Sequence, residues 1–343
     1  MSPPISVLYK VEDIPRAGRG IVASARIPTG TVLLNSSAPA AHVILRQYRK
    51  EVCAHCFAYD LGRSLPVRDG EIGKVYCSDR CQATWRERHG DLGVEAWRAL
   101  HAFVQSKGKA IVDVCCIASV SSKPTLAEVK ASWYRADVKC KRQTGSTTHV
   151  DGAKPRKIKN SSLTSKIDPD VLGYLLSGIL FHHHHPDTWQ EGVLDLALDE
   201  TPYRSTADLE AHCTSFLQLL SILPHALRPS CSSAVCQTLA NAGSHNAFGL
   251  RSGSDDGEEY MGYGLYPTAS YFNHSCEPNV AKRRVGSSWE FWSARDIEPG
   301  EECCITYLGG DERDLTVAER RARLQEAWGF ECMCERCSRE AGE

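Results

Sequence analysis

The spacing of its cysteines constrains this chain more than any other feature. Near the C-terminus, Cys332-Met333-Cys334-Glu335-Arg336-Cys337 offers three thiols at Cys-x-Cys-x2-Cys spacing. A closed tetrahedral zinc site needs a fourth ligand, and the best spare thiol is Cys276, far upstream. Cys276 stands in Ser270-Tyr271-Phe272-Asn273-His274-Ser275-Cys276-Glu277-Pro278-Asn279, where a short hydrophobic run stops and Pro278 and Asn279 force a turn. Polar groups beside apolar residues are costly to bury unless something pairs with them, so Asn273 and His274 ask for a ligand. A zinc joining Cys276 to Cys332, Cys334 and Cys337 would pin the tail, with Trp328 and Phe330, over Asn273 and His274.

A second group lies nearer the N-terminus. Cys53-Ala54-His55-Cys56 is a Cys-x2-Cys knuckle, and Cys77-Ser78-Asp79-Arg80-Cys81 places two thiols on one helical face. Four thiolates so spaced make a structural zinc site, which stabilises but does not catalyse; four scattered core cysteines are the alternative. The chain has 16 cysteines in all. Met1-Ser2-Pro3-Pro4-Ile5 lacks a signal-peptide layout, and no apolar run reaches the length of a membrane span. A reducing compartment is therefore expected, where metal ligation outranks a disulfide framework.

The net charge of −2 hides an asymmetry. Between Lys123 and Lys166 lie eleven Lys or Arg and three acids, which leaves 29 basic against 39 acidic residues elsewhere. An acidic body favours cationic partners over nucleic acid. From about Ser119 to Ser165 the composition turns to Ser, Thr, Lys and Gly with little periodicity, which reads as a mobile insertion. Within it, Lys154-Pro155-Arg156-Lys157-Ile158-Lys159 reads first as a solvated linker, with a nuclear localisation patch or a nucleic-acid contact as the alternatives.

Residues 7–45 read as β structure, with turns at Gly18-Arg19-Gly20 and Pro28-Thr29-Gly30. Ser24-Ala25-Arg26-Ile27-Pro28 has an echo at Ser293-Ala294-Arg295-Asp296-Ile297-Glu298-Pro299-Gly300, so both ends of the chain are expected in one β framework. A helix continues past Cys81 to His89. Asp168-Pro169 caps a helix that ends in the tract His182 to His185, read as a cationic terminus. Leu209, Cys213, Phe216, Leu217, Leu220 and Leu223 mark the apolar face of another, stopped by Pro224. Strands are expected at Ser244–Leu250, Leu265-Tyr266, Ser288–Trp292 and Cys303–Tyr307. A last helix starts at the Thr316/Glu319 capping box and runs to about Trp328.

Taken together, these residues resemble a SET-domain protein lysine methyltransferase of the SMYD type, in which a MYND zinc module splits the SET domain. The resemblance rests on Gly18-Arg19-Gly20, Asn246-Ala247-Phe248, the Asn273–Asn279 element, Ile305-Thr306-Tyr307 and the Cys332-Cys334-Cys337 post-SET motif. It implies an α+β chain, with a β-rich SET fold divided by a zinc module and a helical insertion. The implied units are 1–50 and 244–310 for the SET domain, 51–92 for the MYND-like module and 93–166 for a helix and flexible basic linker. The helical insertion is 167–243 and the post-SET segment 311–343.

The resemblance implies S-adenosylmethionine as cofactor. It places Gly18, Arg19 and Gly20 at the methionine end, Asn273 and His274 as the holding pair, Asn246 as a further contact, and Trp328 and Phe330 over the adenine. Tyr307 becomes the active-site tyrosine, beside the cofactor where the Asn-His-Ser and Ile-Thr-Tyr segments cross. Methyl transfer to a lysine amine is an in-line displacement, so alignment outweighs acid or base catalysis. The lysine must arrive neutral, and no side chain is assigned as general base.

The expected partners are a protein with a target lysine, histone or other, with no membrane and no nucleic acid. The expected form is a nuclear or cytoplasmic monomer. A non-catalytic SET and zinc adaptor is the competing class.

Three features depart from that pattern. No cysteine lies between Phe57 and Tyr76 and none follows His89 at the expected place, so the module should hold one zinc, with His89 unpaired and two ions in the whole chain. The helical-repeat domain of many relatives is also expected to be missing. Leu308-Gly309-Gly310 lacks the bulky residues that often follow the tyrosine, which predicts a more open lysine channel.

Overall fold

Apolar residues alternating with polar ones build paired strands at both ends of the chain. The computed structural model describes residues 3–111, 122–144, 165–253, 257 and 259–342. Tyr9–Ile14 (β1) and Gly18–Ala23 (β2) form an antiparallel hairpin. Val32–Asn35 (β3) pairs with Ser288–Ser293 (β10), which also pairs with Val280–Val285 (β9). A further sheet sets Ala41–Ile44 (β4) beside Tyr260–Leu265 (β8), followed by Ala247–Arg251 (β7). Val67–Asp69 (β5) and Lys74–Tyr76 (β6) make a small hairpin in the zinc module.

The two echoed turns face each other. Ile27 and Ile297 exchange backbone hydrogen bonds of 2.9 Å each way, and both side chains are fully buried. Gly30 and Gly300 take φ of 82° and 85° after their prolines, a left-handed conformation that favours glycine. The Asp296 carboxylate accepts from the Thr29 N–H and hydroxyl and from Arg26, locking one turn to the other.

Helices fill the space between. Asp79–Gln105 (α1) bends at Gly90, whose φ is 61°. Pro169–His184 (α3) is capped by Asp168, which accepts from the N–H groups of Asp170 and Val171 at 2.9 and 3.1 Å. Every residue from Pro169 to Leu180 is buried, so this helix is the axis of the larger core, against β4, α1 and the helices Thr206–Ile222 (α5) and Ser233–Asn246 (α6). A short α4, Pro186–Thr188, follows α3. Val317–Trp328 (α7) begins at the Thr316/Glu319 capping box, and Glu335–Ala341 (α8) carries Cys337.

Four expectations are corrected. The basic segment contains a helix, Leu126–Thr144 (α2). It buries Val129, Trp133 and Ala136 against α5, and the Trp133 Nε1–H donates to the Tyr203 hydroxyl at 2.8 Å. Lys154–Lys159 lies outside the described residues. Residues 244–246 end α6 rather than start a strand, so β7 begins only at Ala247. Residues 303–307 form a single isolated bridge, at Ile305, and not a strand. In the histidine tract, burial pushes His182 and His184 below their ordinary range, so those two are neutral and give no cationic terminus.

Candidate active site and zinc centres

Each cysteine group closes on itself. The Sγ atoms of Cys53, Cys56, Cys77 and Cys81 lie within 4.8 Å of one another, and so do those of Cys276, Cys332, Cys334 and Cys337. A zinc held at ~2.3 Å by four thiolates would set the sulfurs about 3.8 Å apart. Observed separations are 3.6 Å for Cys56–Cys77, 3.4 Å for Cys77–Cys81, 3.8 Å for Cys276–Cys332 and 3.5 Å for Cys276–Cys337. Both donor sets therefore fit a structural zinc, and among the described residues no other such group occurs. Knuckle geometry is local: Phe57 adopts φ 59° as its N–H returns to the Cys53 carbonyl, and Ser78 caps α1 on the Cys81 N–H. His89 takes no part. Its ring stacks on Trp85 at 3.9 Å and its Nδ1 lies 2.8 Å from the Trp85 carbonyl.

Asn273 to Ser275 runs alongside Ile305 as a parallel bridge. The Ile305 N–H donates to the Asn273 carbonyl at 2.9 Å, and the Ser275 N–H donates to the Ile305 carbonyl at 2.8 Å. This crossing positions His274. Its Nδ1 accepts from the Tyr307 backbone N–H at 3.0 Å, which leaves the proton on Nε2, 3.2 Å from the Cys276 sulfur. Burial pushes the imidazole down to about 4, so the neutral tautomer holds. One histidine thus ties the Cys276 thiol to the tyrosine.

Around these residues opens a cleft of 1070 Å³. Gly18, Arg19, Asn246, Asn273, His274, Tyr307, Trp328 and Phe330 all line it. Gly20 stands behind the wall instead: a Cβ there would lie 2.7 Å from both Asn273 Nδ2 and Glu302 Oε1. Its missing side chain lets the Asn273 amide donate to the Arg19 carbonyl at 3.3 Å and to Glu302 at 2.8 Å. Asn246 spends its amide on the Ala197 and Ala242 carbonyls, at 2.8 and 2.9 Å. Trp328 and Phe330 close the tail side, with ring centroids 5.4 and 6.3 Å from Tyr307.

Sequence reasoning missed Asp195, from the helical insertion. Its carboxylate accepts from Arg19 Nη1 at 2.7 Å and from the Tyr271 hydroxyl, and the Arg19 guanidinium lies over the Tyr271 ring. Burial alone would raise Asp195, but the bonds from Tyr271 and Arg19 outweigh it and hold the carboxylate below its ordinary range. Arg320 was missed too. It is fully buried, with Nη2 3.5 Å from Cys337 Sγ and 2.6 Å from Glu340.

Behind Tyr307 lies a narrow cavity of 80 Å³ lined by Phe248, Phe272, Trp289, Leu308 and Arg251. It shares Tyr307, Asn246, Ser270 and Trp328 with the cleft, so the two spaces meet there. The Tyr307 hydroxyl donates to the Phe272 carbonyl at 3.0 Å, and burial raises its pKa, so it stays protonated. The space beside Gly309 is taken by Arg251, whose Nε would lie 3.4 Å from a Cβ there.

A family model, the SET domain, matches residues 18–308. The chain belongs to the SET-domain family. Its SET domain is interrupted between β4 and β7 by the thiolate module and by helices α1 to α6. Over 98% of its length the chain is 27% identical to "Potential protein lysine methyltransferase SET6" of Saccharomyces cerevisiae, covering 96% of that protein. It is 32% identical to "Histone-lysine N-methyltransferase ASHR2" of Arabidopsis thaliana, over 97% of this chain and 72% of that one. The match to human "Histone-lysine N-methyltransferase SMYD3" is local, 44% identity over 77 residues, which is 17% of that protein.

Proposed function

We propose that this chain transfers a methyl group from S-adenosylmethionine to the side-chain amine of a protein lysine. The observation that carries the reading is the meeting of the large cleft and the narrow aromatic cavity at Tyr307. The cleft fits the cofactor: it has room for a nucleoside and an amino acid. Its wall combines the aromatic rings of Trp328 and Phe330 with Arg19, Asn273 and His274. When bound, the cofactor supplies a methyl on a positive sulfonium, which needs no base to make it leave.

The protein's share is alignment. Phe248, Phe272 and Trp289 give the narrow cavity its aromatic wall, and Arg251 and Lys282 also line it; like charge and partial desolvation both disfavour an ammonium there and favour the amine in its neutral, nucleophilic form. Tyr307, protonated and fixed by the Phe272 carbonyl, presents a hydroxyl oxygen at the junction, where weak C–H···O contacts orient a methyl. The donor sets of the two thiolate groups would hold zinc ions that fasten the module and the tail, with no part in the chemistry.

Histone or another basic protein is the substrate class we favour, since the acidic balance outside the Lys123–Lys166 segment attracts cations. We take the working form to be a monomer of the nucleus or cytosol. The test is methyl transfer on a lysine-peptide and histone array, alongside calorimetry with S-adenosylmethionine. Tyr307→Phe should bind the cofactor within a few-fold of wild type while transfer falls about 100-fold. Cofactor binding with no Tyr307-dependent transfer to any lysine would sink the reading.

A further inference from the structure

A second large cavity, of 750 Å³, lies between β4, the β5–β6 hairpin and α1, apart from the methyl-transfer cleft, with Ala54 of the Cys53–Cys56 knuckle in its wall but none of the thiols. Five cations line it: Arg46, Arg49, Lys50, Arg68 and Lys74. Only two acids do, Glu51 and Asp69. Asp69 is already engaged, 5% exposed and accepting from Arg86 at 2.6 Å and Gln82 at 3.0 Å. Arg49 pairs with Asp170 at 2.8 Å. The side chains of Arg46, Lys50, Arg68 and Lys74 have no carboxylate partner among the described residues.

Lys74 is the telling member. Its ammonium lies 3.5 Å from the centroid of Trp97 and 5.5 Å from that of Trp85, so only ring faces offset its charge. Burial, with a smaller contribution from Arg49, pushes it down to about 7. Trp97 also lines the cavity, and its buried indole N–H has no acceptor. Like charges and an orphan donor are thus gathered in a protein whose remaining charge is acidic. Crowded cations are costly unless a counter-ion joins them.

We propose that this cleft binds a small polyphosphorylated molecule, with its phosphates spread across Arg46, Lys50, Arg68 and Lys74. Phosphate groups suit the arrangement better than one carboxylate. Guanidinium forks take phosphate oxygens in pairs, and several cations call for several negative charges. The volume is that of a small-molecule site. An acidic body also works against long nucleic-acid polyanions. The site is independent of the methyl-transfer reading and stands or falls without it.

Calorimetric titration of the zinc-loaded full chain with inorganic tripolyphosphate tests this. Saturable one-to-one binding is expected, weakening with added salt. Lys74→Met and Arg68→Glu should each weaken it by roughly tenfold or more. Arg68 and Arg46 are exposed, so Arg68→Glu and Arg46→Glu decide the matter even if Lys74→Met fails to fold. Absence of binding, or equal binding by these two charge reversals, overturns the proposal. So does tighter binding of a duplex oligonucleotide, which would make the cleft a nucleic-acid surface, or of a glutamate-rich peptide.

Discussion

The two cysteine groups are alike in ligand set and unlike in what they touch. Cys53, Cys56, Cys77 and Cys81 anchor a knuckle, a short hairpin and the start of α1, and none of them lines the cofactor cleft. Cys276, Cys332, Cys334 and Cys337 pack with Leu308, Trp328 and Phe330, and two of them, Cys332 and Cys334, form part of the cleft wall. His274 connects that group to Tyr307. The same tetrahedral chemistry thus serves local folding in one place and closure of an active site in the other. The comparison teaches that a thiolate group able to hold a structural zinc reaches the proposed active site through what its ligands are bonded to.

That contrast can be broken at several points. Cys81→Ser should lose one zinc and the largest share of stability, several kcal/mol as expected for a structural metal site, with cofactor affinity unchanged within twofold; thermal melts, metal analysis and calorimetry check this. His274→Ala should leave both zincs bound yet weaken the cofactor by about 1–3 kcal/mol, because the Tyr307 N–H loses its acceptor. If it instead strips the C-terminal zinc, His274 supports the thiolates more than the tyrosine. Thr125→Ala removes the cap of α2, where Thr125 and Glu128 bond reciprocally. It should lower stability by about 1 kcal/mol and leave metal content and cofactor affinity alone.

Cysteine spacing carried far in the sequence because tetrahedral thiolate geometry is strict. Both ligand sets, including Cys276 across a long separation, are those of the folded chain. The Thr316 cap, the apolar face of α5 and the paired turns at Ile27 and Ile297 were legible for similar reasons, since each follows from a local rule. Helix α2 was hidden by its lysines and arginines, although Val129, Trp133 and Ala136 keep helical spacing and Thr125/Glu128 is a capping box. Asp195 gave no signal: a lone acid in a loop acquires meaning only once Arg19 and Tyr271 arrive from distant segments. Residues 303–307 look like a strand in isolation, but their backbone partners are scattered over Ile21, Val280 and the crossing segment at Asn273 to Ser275, which gives one bridge and no ladder. At Gly20 the missing side chain leaves room for the Asn273 amide, a role that no local sequence rule announces.

The most direct test of the account is Cys276→Ser, with zinc content and S-adenosylmethionine affinity measured on the same preparation. One zinc per chain should remain, and cofactor affinity should fall by about tenfold or more as Trp328 and Phe330 lose their anchor. Loss of that zinc with unchanged cofactor affinity would contradict the coupling of tail, histidine and tyrosine.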